Sequence, residues 1–114
     1  NLPADKVPYW DFRAPNIPNE ERDTSAAAIF ASAFLELSTW APAERGRAYR
    51  AFAVRSLLSL VSPAYFAKPG ENGGFLLMHG VGHKPGGSEV DVPLNYGDYY
   101  FLEALIRFWR SVQG

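Results

Sequence analysis

Two segments of this 114-residue chain are apolar on nearly every side, and nothing else in it restricts the available folds so strongly. In the first, Ala26, Ala27, Ala28, Ile29, Phe30, Ala31, Ala33, Phe34, Leu35 and Leu37 leave almost no polar face. In the second, Tyr99, Phe101, Leu102, Ala104, Leu105, Ile106, Phe108 and Trp109 do the same. A helix that is apolar all round has to be covered all round. Asp23 or Thr24 can cap the first, which predicts a helix over roughly 24–37. Asn95 and Asp98 make a capping-box variant ahead of the second, predicted to run to about Arg110.

A third helix is predicted between them. Pro42 suits a first helical turn and Glu44 favours the positive end of the helix dipole. From there to about Leu60 the pattern is amphipathic, with Ala48, Phe52, Leu57 and Leu60 in the apolar stripe. Arg45, Arg47, Arg50 and Arg55 fall among apolar residues of this helix and read as its solvated face. Pro3, Pro8, Pro15 and Pro18 make the first part, to about Glu21, an extended loop. Pro69 to Gly74 is a turn-rich link, and Phe75-Leu76-Leu77-Met78 is too short for periodicity to assign.

Two helices apolar all round and one amphipathic helix do not make a satisfied small bundle. The alternation fits a double ring, in which inner helices touch neighbours on every side and outer ones face water along a stripe. The expected architecture is therefore all-α, a section of an α/α barrel. Residues 1–114 would be one truncated domain, the start at Asn1-Leu2-Pro3 reads as cut from something longer, and the uncovered apolar area predicts self-association of the isolated chain.

A formal net charge of -1 argues against nucleic acid as a partner. With zero cysteines there is no disulfide or thiol chemistry, and the compartment stays open. No apolar run reaches the roughly 18 residues that cross a bilayer, so no membrane partner is expected.

The stretch from Gly80 to Tyr100, a glycine-rich polar loop that runs into the aromatic start of the last helix, is the candidate binding loop. Its glycines and prolines allow tight turns, and His83, Lys84, Ser88, Glu89 and Asp91 offer donors and acceptors. His79 and His83 sit at a metal-ligand spacing, but Gly80 and Gly82 oppose a helix there and no third ligand accompanies them; no metal site is expected. His83 can contact a polar ligand or hydrogen-bond within the loop, while His79 reads as structural. Among the carboxylates Asp11, Asp23, Glu89, Asp91 and Asp98, Asp23 and Asp98 read as caps. Glu89 and Asp91 alternate with Val90 and Val92 and form either a one-sided pair or a solvated edge. The Tyr9-Trp10-Asp11-Phe12 cluster suits either a platform for sugar rings or a plug at a barrel end.

Taken in order, Asp5-Lys6-Val7-Pro8-Tyr9-Trp10-Asp11-Phe12, Ile17-Pro18, Arg22-Asp23-Thr24-Ser25-Ala26-Ala27-Ala28, His79-Gly80-Val81-Gly82-His83 and Tyr96-Gly97-Asp98-Tyr99-Tyr100-Phe101-Leu102-Glu103-Ala104-Leu105 resemble the C-terminal part of the unsaturated glucuronyl hydrolases, glycoside hydrolase family 88. The resemblance implies an (α/α)6 barrel. It also implies an enzyme that adds water across the C4–C5 double bond of the terminal sugar of unsaturated uronyl oligosaccharides, with two aspartates and no metal or organic cofactor. Those aspartates would lie upstream of Asn1, so no residue here inherits a catalytic role. Gly80, Gly82 and His83 would contribute one wall of the sugar cleft. Family members often carry a serine where this chain has Gly80, so a hydroxyl contact is absent, which bears on linkage and sulfation preference. Two readings follow: a C-terminal segment of a glycoside hydrolase, inactive alone, or a stand-alone helical carbohydrate-binding or assembly module.

Overall fold

A computed structural model describes residues 2–113. Its elements run α1 (Thr24–Trp40), α2 (Ala43–Leu60), a short 3-10 turn (Asn72–Gly74), β1 (Gly80–His83), β2 (Ser88–Val92) and α3 (Asn95–Gln113).

Helix α1 begins where a carboxylate can take its free N–H groups: Asp23 accepts from Ser25 N at 3.1 Å. At its other end the chain turns within two residues into α2, so the two helices lie antiparallel, with Phe34 beside Tyr49 and Phe52. Close approach there requires Gly46, since a Cβ at that position would stand 2.6 Å from the Ser38 carbonyl oxygen. Helix α3 runs parallel to α1: Gly97 abuts Ser25, and Glu103 and Arg107 meet Ser32 further along. Against α2 it is antiparallel, because Arg50 reaches Ser111 near its end. Two parallel helices with an antiparallel one laid beside them are the inner and outer positions of a helical double ring.

The core joins all three helices to the flanking loops, with Ala27, Ala31 and Leu35 of α1, Ala53, Leu57 and Leu60 of α2, Phe101 and Ala104 of α3, and Val7 and Leu77 outside them. Phe101 is the largest fully buried side chain, and burial of such a ring contributes about 2–3 kcal/mol.

Two expectations need correction and a third is met. The α2 stripe runs through Gly46, Ala53, Ser56, Leu57 and Leu60, and Ala48 faces out, because α1 and α3 approach that helix from the side carrying its smallest residues. The cover missing from the sequence is missing here too: Ile29, Ala33 and Leu37 form an exposed row on α1, and Leu102, Ile106, Trp109 and Val112 form one on α3. Asp98 does not cap α3. Its two carboxylate oxygens accept from Leu76 N at 2.8 Å and Leu77 N at 3.0 Å, tying the short apolar run to the helix, while Asn95 Oδ1 accepts from Tyr96 N at the helix start.

Candidate functional site

The polar loop is a β-hairpin. β1 and β2 pair antiparallel with Val81 opposite Val90 and His83 opposite Ser88, and a bulge falls between Gly80 and Val81. A turn over Lys84–Gly87 closes it, with Gly87 at a φ of 73° that suits glycine. In and next to the hairpin three non-glycine residues also take positive φ, His79 at 61°, Glu89 at 52° and Asp91 at 52°. Such conformations cost of order 1–3 kcal/mol each and persist where the surroundings over-determine them.

At His79 the N-terminus of α1 supplies that restraint. Asp23 Oδ1 accepts from Val81 N at 3.1 Å as well as from α1 itself, Thr24 N donates to the His79 carbonyl at 3.0 Å, and Thr24 Oγ1 donates to the Met78 carbonyl at 2.6 Å. The helix cap and the hairpin base are thus one hydrogen-bonded unit.

The proline-rich segment before α1 folds under the hairpin. Lys84 Nζ reaches Glu20 Oε2 at 3.1 Å and also Glu21, and lies over the Trp10 ring 5.3 Å from its centroid. Trp10 Nε1 donates to the same Glu20 oxygen at 2.7 Å. The Trp10 bond first, then Lys84, holds the Glu20 carboxyl below its ordinary range, so it stays an anion. Deeper in, Arg22 Nη1 donates to Asp5 at 2.9 Å, to the Val7 carbonyl at 2.7 Å and to Tyr65 Oη at 3.1 Å, while Tyr65 Oη donates to Asp5 Oδ2 at 2.8 Å. Burial works to raise the Asp5 pKa, but the Val7 N–H, Tyr65 and Arg22 outweigh it and hold that carboxyl low. Burial, then the bond to Asp5, pushes the Tyr65 phenol up to about 12.

Between this proline-rich strap and the hairpin lies a cleft of about 500 Å³ lined by Glu20, Glu21, Arg22, Tyr65, His79 and Asp91. On its hairpin side His79 Nδ1 and Asp91 Oδ1 are 2.6 Å apart. His79 also meets Tyr65 edge to face. The bond to Asp91 fixes which ring nitrogen faces the carboxylate and leaves Nε2 to the cleft's other occupants.

Of the residues singled out from sequence, Gly82 and His83 are exposed neighbours on the hairpin, and Gly80 is buried against Leu94 and the Val92 carbonyl. A side chain at Gly82 would run into Glu89, and one at Gly86 into the His83 ring. His79 and His83 part company, since His79 pairs with Asp91. Tyr9 is buried beneath Arg22, and Trp10 has one face taken by Lys84. Sequence reasoning missed the His79–Asp91, Lys84–Glu20 and Arg22–Asp5–Tyr65 groupings. Their members stand 12 to 64 residues apart, and no local spacing marks them.

Every acidic group around the cleft with a known partner is engaged. Asp5 and Glu20, the two whose carboxyls are shifted, are shifted toward the anion. The cleft is thus equipped to hold a polar ligand through fixed donors and acceptors.

No family model matches the chain. It is 50% identical over 107 residues to the unsaturated glucuronyl hydrolase of Formosa agariphila, across 94% of this chain and 26% of that protein. A crystal structure of an unsaturated glucuronyl hydrolase specific for heparin superposes with a TM-score of 0.94 at 50% identity, covering 99% of this chain and 30% of that one. A variant of the Streptococcus agalactiae enzyme complexed with dGlcA-GalNAc6S gives 0.86 at 37% identity, over 96% and 29%. The chain spans 26% to 30% of the curated relatives' length. These neighbours are (α/α)6 barrels, and the three helices here form a section of one.

Proposed function

The chain belongs to the unsaturated glucuronyl hydrolase family over nearly all of its own length, and from that premise we propose that it supplies one wall of the sugar cleft of a glycoside hydrolase. The reaction hydrates the C4–C5 double bond of the terminal sugar on unsaturated uronyl oligosaccharides, and the product falls apart to release that sugar. The reacting aspartates belong to the remainder of the longer protein. This fits the engagement of the acids around the cleft, which leaves Asp5, Glu20 and Asp91 to hold structure.

The hairpin is the part that meets substrate. Gly82 and His83 lie exposed side by side, Gly80 beneath them lets β1 sit against Leu94, and the His79–Asp91 pair stands at the hairpin base. The exposed rows on α1 and α3 are the faces on which the remaining helices of the ring pack, so residues 1–114 are part of one domain. Among substrates, disaccharides from heparin are favoured over those of the dGlcA-GalNAc6S type, because identity to the heparin-specific relative is 50% against 37%.

The single observation carrying this reading is collinear similarity across 99% of the chain at a TM-score of 0.94. Incubation with unsaturated disaccharides, followed by loss of ultraviolet absorbance from the conjugated double bond, tests it. The longer protein is expected to turn over the heparin disaccharide faster, and residues 1–114 alone to leave it intact. Turnover by the 114-residue chain would overturn the assignment of the chemistry elsewhere; an inert longer protein would overturn the activity.

A further inference from the structure

The end of the helices away from the hairpin carries a groove that the proposed reaction leaves without a role. It lies where α1 and α3 finish, has a volume of about 790 Å³, and is lined by Trp40, Arg50, Arg107, Arg110, Ser111 and Glu36 among others. The volume is in the range of ligand sites.

The three arginines are in different situations. Arg107 is satisfied internally: it donates to the Ser32 carbonyl and hydroxyl and pairs with Glu36 at 3.2 Å and Glu103 at 3.4 Å. Arg50 has no carboxylate partner among the described residues; it lies over the Phe108 ring, 5.2 Å from the centroid, and donates to Ser111 Oγ at 2.7 Å. Those two contacts orient the guanidinium and leave N–H groups for an anion. Arg110, in the last turn of α3, likewise pairs with no carboxylate among the described residues and offsets the partial negative charge of the helix end. Beside them Trp40, at the end of the α1 row of Ile29, Ala33 and Leu37, is exposed in this chain.

We propose that this groove binds an anionic polysaccharide, with Arg50 and Arg110 on its carboxylate or sulfate groups and Trp40 packed on the apolar face of a sugar ring. A guanidinium matches a planar carboxylate or a sulfate by paired hydrogen bonds, and an aromatic face beside it selects pyranose over a simple anion. The choice of saccharide rests on the proposed function; the groove and its two arginines without a carboxylate partner among the described residues do not. Such a site would hold the polymer from which the cleft's substrates are cut.

The test is binding of size-fractionated heparin chains to the protein, with the Trp40 indole N–H followed by NMR, and with a single-stranded oligonucleotide as a second polyanion. Saturable heparin binding that shifts the indole signal is expected. The Arg50→Gln/Arg110→Gln variant should weaken it at least about tenfold, as loss of charge-assisted hydrogen bonds does, and Trp40→Ala should weaken it too. All three residues are surface groups, and circular dichroism checks that the variants fold. Absence of saturable binding, unchanged affinity in the variants, or oligonucleotide binding as tight as heparin and indifferent to Trp40→Ala would each overturn the proposal. Turnover of the unsaturated disaccharide by the longer protein reads the cleft separately and should be unaffected by these variants.

Discussion

Around Phe101 and Ala104 the chain is held by packing, whereas around Tyr65 and His79 it is held by charge and by hydrogen bonds between distant residues. The helix layer uses alanine and glycine where backbones approach and one large ring where they diverge. The hairpin end uses Asp5, Arg22, Tyr65, Glu20 and Lys84, and accepts strained backbone at His79, Glu89 and Asp91. Apolar packing is non-directional and tolerates the loss of one contact at a cost set by the cavity left behind. A hydrogen-bonded network fixes atoms to tenths of an ångström and depends on protonation. The region that should touch a sugar is built from the second kind of interaction, and the region that carries it from the first.

The contrast breaks first in the helix layer. Phe101→Ala should cost about 3–5 kcal/mol of stability, read as a lowered midpoint in denaturant, because α1, α2 and the Phe66 ring cannot all close on the void. Gly46→Ala should cost about 1–3 kcal/mol, since its methyl meets the Ser38 carbonyl at 2.6 Å and the α1–α2 turn must open. If Gly46→Ala proved neutral, the close approach of the helices would not be what fixes their packing.

At the junction of the two regions, Asp23→Ala removes a helix cap and the acceptor for Val81 N together. A loss of about 1–2 kcal/mol is expected. Its signature in hydrogen exchange should be faster exchange of the β1 amides as well as of the first turn of α1. Faster exchange in α1 alone would mean that the hairpin is held independently.

The helix layer was largely legible in the sequence. Asp23 and Pro42 mark the helix starts to within a residue, and the all-apolar runs announce packing partners that the chain does not itself provide. The exposed row of Ile29, Ala33 and Leu37 is the physical form of that shortfall. The hairpin was not legible. Its strands have only four and five residues, the alternation of Glu89 and Asp91 with Val90 and Val92 also fits a solvated loop edge, and no Asn-Gly or Asp-Gly turn joins the strands. Asp98 shows the same limit: a carboxylate in a first turn reads as a cap, and only the fold brings Leu76 and Leu77 to it. The arginine groove lies between these cases, for Arg50 was visible as part of a basic face, but its proximity to Arg110 depends on α2 and α3 running antiparallel.

The smallest effect expected is also the one that separates the regions by chemistry alone. Packing of Phe101 and Leu57 is indifferent to pH, so the pH dependence of stability should report the hairpin end. Asp5 and Glu20 have folded pKa values below their unfolded ones; what they contribute is present above the ordinary carboxylate range and is lost as pH falls through the depressed values, below about pH 4. Tyr65 has the opposite sign. Its folded pKa is raised to about 12 from 10.0, so its contribution is complete below pH 10 and disappears between pH 10 and about 12. Thermal midpoints should therefore be level from about pH 5 to pH 9 as far as these groups are concerned, with one arm falling in acid and one in alkali. Lys84 and Tyr96, also raised, add to the alkaline arm, so Tyr65→Phe should reduce that arm without abolishing it and keep the acid one, because Asp5 retains Arg22 and the Val7 N–H. An alkaline arm unchanged by the substitution would assign the whole loss to Lys84 and Tyr96 and would show that the Tyr65 bond to Asp5 contributes nothing to stability.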